Sequence, residues 1–130
     1  MNKITAILIT ACCFCLPAGI KAQNTDHKGQ LLRHIVLFKF KDSASAENIK
    51  KVEAAFRALP PKITLIKDFE WGINNSPEKL NNGFTHCFFV SFKSEADRDA
   101  YLPHAAHQAF VEILKPYLDK VLVIDYWAGQ

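Results

Sequence analysis

The chain is poor in the residues that announce dedicated chemistry. Its five glycines nowhere gather into a loop that could cradle a phosphate. Of its four cysteines, Cys12, Cys13 and Cys15 lie near the start and only Cys87 stands beyond residue 22. A chain cleaved there has no internal disulfide and no Cys-x-x-Cys pair, and Cys87, in the run Cys87-Phe88-Phe89-Val90, reads as a small buried hydrophobe. Histidines and carboxylates never share the helical spacing of a dedicated metal site, so neither a metal nor a cofactor is expected. The one apolar run of any length, Ile4 to Leu16, is shorter than the about 20 residues of a spanning helix, so no membrane span is expected.

That run has another reading. Lys3 supplies a charged start and Ile20-Lys21-Ala22 a small-residue end, which together predict a secretory signal peptide over residues 1–22 and export to the periplasm or the outside. Ile9-Thr10-Ala11-Cys12 has the form of a lipoprotein cleavage site, but the apolar run continues past it to Leu16, so cleavage after Ala22 is the better fit. The leader holds two of the 16 basic residues, Lys3 and Lys21, and no acid. The remainder has 14 against 13 and a net charge of +1 rather than +3. Lys50, Lys51, Lys115 and Lys120 alternate with Glu47, Glu53, Glu112 and Asp119, with no basic stripe of the kind a nucleic-acid partner requires.

Residues 23–31 are polar and without period, a tether, and 32–130 have the length of one domain with no internal repeat. Arg33 to Phe40 is β-branched and aromatic, a strand ended by Asp42 and Ser43. Ser45 caps a helix with Ile49, Val52, Phe56 and Leu59 inward, stopped by Pro60-Pro61. Alternation from Ile63 to Ile73, broken at Lys67, predicts a second strand. The turn residues of 74–83 follow, then a third strand over Phe84 to Phe92. Ser94 with Asp97 opens a short helix ending near Tyr101, a further helix runs from about His104 to Pro116, and Val121 to Trp127 forms the last strand. The order is the split βαβ of an α+β ferredoxin-like fold, βαββαβ. Helices cover one side of such a sheet, yet strands one, three and four are apolar on both, and the bare face predicts a homodimer packed sheet to sheet.

The segment Tyr101-Leu102-Pro103-His104-Ala105-Ala106-His107 carries the only concentrated proton chemistry. His107 shares a helical stripe with Phe110, Val111 and Leu114. A lone inward histidine is usually a satisfied core residue. Here Tyr101 can reach the same space, His34 and His86 each open a strand, and the surroundings are phenylalanine. A desolvated imidazole beside a phenol can abstract a proton next to a carbonyl, the phenol hydrogen-bonding the developing enolate.

Five features together, His34 to Phe40, Trp71-Gly72, Gly83 to His86, Tyr101 to His107 and Asp125-Tyr126, are similar to the stress-response A/B barrel (Dabb) domains. The resemblance runs from about Leu32 to Trp127. It implies a dimeric α+β barrel with a cavity between sheet and helices, and a small apolar molecule as possible partner. By resemblance to a cofactor-independent plant polyketide cyclase of that family, Tyr101 and His107 form its catalytic pair, and His34 and His86 match its strand histidines. One departure stands out: the family's proline lies between the two helix histidines, whereas Pro103 precedes both, which leaves the role of His104 open. Three functions follow in order: a ligand-binding, stress-related exported homodimer; a cofactor-independent lyase or cyclase using His107 and Tyr101; and a cofactor-free or heme-dependent oxygenase on the same barrel. An open pocket lined by both His107 and Tyr101 would favour catalysis, and a sealed His107 the non-catalytic reading.

Overall fold

The computed structural model describes residues 27–129; the expected leader, its cleavage after Ala22 and the alternative at Cys12 lie outside them. The elements run β1 Leu32–Phe40, α1 Ala46–Arg57, β2 Asp68–Ile73, β3 His86–Phe92, α2 Glu95–Tyr101, α3 Ala105–Leu114 and β4 Leu118–Trp127. All strand pairs are antiparallel, in the order β2-β3-β1-β4, a ferredoxin-like α+β fold. Among the described residues no helix is long and apolar enough to cross a membrane.

The caps follow from local chemistry. Ser45 accepts from the backbone N–H of Asn48, and Ser94 from that of Asp97, each hydroxyl satisfying a donor that the helix's first turn leaves open. Strand β1 alternates strictly. Leu32, His34, Val36, Phe38 and Phe40 are buried toward the helices, and Ile35 and Leu37 are half-buried on the opposite face. Phe38, Phe56, Phe88 and Phe110 form the centre, with ring centroids of 4.2 Å for Phe56 to Phe88 and 4.6 Å for Phe56 to Phe110.

Three boundaries differ from the sequence reading. The second strand begins at Asp68, and residues 60–67 are turns whose buried Ile63 plugs the core; an apolar side chain every second residue produces alternation without any ladder. The third strand begins at His86 rather than Phe84, and the fourth at Leu118 rather than Val121. Cys87 is half-buried on the face away from the helices, not in the core, and desolvation raises its thiol pKa. That face carries Ile35, Leu37, Phe89, Leu122, Ile124 and Tyr126, with Leu122 43% and Ile124 46% exposed.

Candidate functional site

Alternation along β1 delivers His34 into the row of core side chains, between Leu32 and Val36. Helix α2 ends on Tyr101, whose ring packs 5.1 Å from Phe92 and 5.9 Å from His34. Pro103, with no N–H to continue a helix, separates α2 from α3. His104 then caps α3, its Nδ1 accepting from the N–H of Ala106 at 3.2 Å. The shifted proline therefore leaves His104 as a helix cap rather than a group facing the site. One turn later His107 lies with its ring centroid 4.4 Å from that of Tyr101.

Protonation follows from the partners. Nδ1 of His107 lies 2.8 Å from the carbonyl oxygen of Leu102. A carbonyl only accepts, so Nδ1 carries the hydrogen and Nε2 keeps its lone pair. The side chain of Gln108 donates to the same oxygen at 2.7 Å. Desolvation lowers the His107 pKa, and the neighbouring His34 and His104 lower it further, against the opposing pull of the Leu102 carbonyl. His107 is therefore a neutral base near pH 7. The hydroxyl of Tyr101 is wholly buried and has no hydrogen-bond partner among the described residues; burial pushes its pKa well above the ordinary phenol value. It remains an O–H donor at every physiological pH.

These groups share a cavity of about 210 Å³ whose polar end is His34, Tyr101 and His107 and whose walls include Val36, Phe38, Phe110, Leu114, Val121 and Val123. The wall on β4 is open, with Val121 50% and Val123 47% exposed. A buried hydroxyl without a partner is costly, and the residue that carries it lines this cavity.

His86 is elsewhere. It lies opposite Phe38 where His34 lies opposite Val90, four residues apart along β1, or about 13 Å at the usual strand rise. Both its nitrogens are engaged, Nε2 with Glu53 at 2.9 Å and Nδ1 with the Thr85 hydroxyl at 2.9 Å. It borders a larger cavity of about 460 Å³ under the β2–β3 loop, but offers no free nitrogen to it. The pair ties α1 to β3. Replacing His86 by alanine should cost about 3 kcal/mol, because Glu53 loses its buried partner. Urea melts check this.

Two residues with no role assigned from sequence stand behind His34, outside the cavity lining. Nδ1 of His34 is 2.7 Å from Oδ1 of Asp125, whose other oxygen is 3.0 Å from Nη1 of Arg98. The signal was available: Asp125 is the one acid in the apolar run Val121 to Trp127, and its parity with Val121 and Val123 places it on the helix side. Among the described residues no three His, Cys, Asp or Glu side chains converge as a metal cluster would.

Comparison with known proteins places this geometry in context. The model of the stress responsive A/B barrel domain family matches residues 32–128. The chain is 40% identical over 95 residues to the stress-response A/B barrel domain-containing protein HS1 of Arabidopsis thaliana, covering 73% of this chain and 87% of that protein. It is 27% identical to olivetolic acid cyclase of Cannabis sativa, covering 73% and 94%. Among solved structures, hydroxynitrile lyase from Passiflora edulis superposes with a TM-score of 0.72 at 26% identity, covering 78% and 95%. A dimeric protein of ferredoxin-like fold from Bacteroides fragilis gives 0.62 at 30%, covering 74% and 94%.

Proposed function

Because the chain belongs to the stress-responsive A/B barrel domain family, we propose that it is a cofactor-independent homodimer that takes a small apolar carbonyl compound into the cavity and moves a proton next to the carbonyl. His107 is the base through Nε2, and Tyr101 donates its O–H to the oxygen on which negative charge develops. The observation that carries the reading is the buried, unpartnered hydroxyl of Tyr101, a residue that lines the polar end of an open apolar cavity. Similarity to a cyclase and a lyase supports this class of chemistry. The dimeric Bacteroides relative supports the homodimer, as does the exposed apolar sheet face, which a second copy would cover.

Benzylacetone is a suitable probe: a ketone on a short aromatic tail. In heavy water the protein should accelerate deuterium uptake at the carbons flanking its carbonyl. The rate should fall toward acid with its half-point below 6.5, the ordinary imidazole value, because desolvation lowers the His107 pKa. Binding of the ketone without exchange would establish the second reading, a ligand carrier without turnover, which the wholly apolar walls and the 40% identity to a protein named for stress response favour. Neither binding nor exchange would overturn both.

We also propose export through residues 1–22. The intact mass of the native product should correspond to a chain beginning at Gln23; a mass carrying acyl chains on Cys12 would establish the lipoprotein route instead.

A further inference from the structure

His34 is almost wholly buried, its side chain 6% exposed, and it is held by a run of charge that the His107 and Tyr101 chemistry does not use. The run crosses three elements. His34 on β1 stands directly opposite Asp125 on β4 in the ladder, so the two side chains meet on the helix side of the sheet. Asp125 then meets Arg98 on α2, which also holds Asp99 at 3.0 Å. Arg98 lies three residues before Tyr101, so the helix that delivers the phenol to the cavity delivers the guanidinium behind it. The carboxylate only accepts, so Nδ1 of His34 carries a hydrogen, and in the neutral ring Nε2 keeps its lone pair.

Such a run adds little stability. Hydrophobic side chains of similar volume would serve a core as well or better, since partly buried ions lose hydration that their pairing barely returns. Its location at the polar end of the cavity gives it a purpose. We propose that Arg98 and Asp125 are positioning residues that act through His34, fixing its ring and tautomer so that Nε2 is a second proton-accepting nitrogen of the cavity beside His107. This rests on the reading of the cavity as a proton-transfer site. Arg98 holds one carboxylate oxygen so that the other stays on Nδ1, the arrangement by which an outer partner orients a working imidazole.

Ring-nitrogen NMR of the full chain tests this without any ligand. The wild type should show His34 protonated at Nδ1 and bare at Nε2. In Asp125→Asn the hydrogen should move to Nε2, the charge that drew it to Nδ1 being gone. Arg98→Gln should give a mixture, because the carboxylate is free to turn away, and Arg98→Lys should restore the wild-type pattern. Benzylacetone exchange should fall about tenfold or more in Asp125→Asn. An unchanged His34 pattern in both Asp125→Asn and Arg98→Gln, with only the melting temperature lowered, would reduce the run to a brace and overturn the proposal. If Asp125→Asn does not fold, Arg98→Gln decides alone. A wild type without exchange would sink the proton-transfer reading, while the tautomer comparison still decides whether Asp125 and Arg98 set the His34 ring.

Discussion

A Tyr101→Phe protein should melt higher than the wild type and catalyse more slowly. The two effects have one cause. The hydroxyl is buried with no partner, so it lowers stability by the hydration it has lost, and removing it should return about 1 kcal/mol, or roughly 4 °C in a domain of this size. In the proposed chemistry the same hydroxyl is the donor to the developing oxyanion, and its loss should lower benzylacetone exchange by about 10²-fold. His107→Ala should cost more, about 10²- to 10⁴-fold, because the base itself goes, while Gln108 still holds the Leu102 carbonyl and the protein stays folded. A gain in stability joined to a loss in rate separates a working side chain from a packing one. If Tyr101→Phe instead melts lower and exchanges at the wild-type rate, the hydroxyl has a structural role and the proposed chemistry is wrong.

Ile124→Glu should convert the proposed dimer to a monomer. Ile124 faces away from the helices at the middle of the apolar sheet face, paired with Ile35. A twofold interface places every substitution in it twice. Two carboxylates forced out of water without partners cost several kcal/mol, and each 1.4 kcal/mol is about a tenfold change in the dissociation constant. Sedimentation at micromolar concentration should show the monomer mass. Val123→Glu is the control, because one step along a strand reverses the face: it should leave the dimer intact and abolish ketone binding, its carboxylate now lying on the cavity wall. A wild type that sediments as a monomer, or an Ile124→Glu protein that remains a dimer, would show that the face is not the interface.

The sequence made the element order and both serine caps legible, because hydrophobic period and cap chemistry are local. Ile63 misled for the same reason: a buried plug every second residue looks like a strand until a ladder is sought. The Tyr101 and His107 pair was legible because a six-residue spacing keeps it together across the turn. The link from His34 to Asp125 spans 91 residues and depends on the β1–β4 register, which no local pattern encodes. The partner that sets the His107 tautomer is a backbone carbonyl, and a sequence does not show where carbonyls point. The parting of His34 from His86 follows from antiparallel pairing alone, since each stands near the start of its own strand and the two starts are at opposite ends.

The cavity borrows most of its surface from the core. Phe38, Phe56 and Phe110 line it and are also the rings around which the domain is built, whereas Val121 and Val123 line it from an edge strand half open to solvent. Reshaping the first wall would unfold the protein, and reshaping the second would not. Among descendants of this scaffold, new ligand preferences should therefore arise by drift along β4, with the phenylalanine wall inherited unchanged, and a designer seeking a different ligand should begin on that strand.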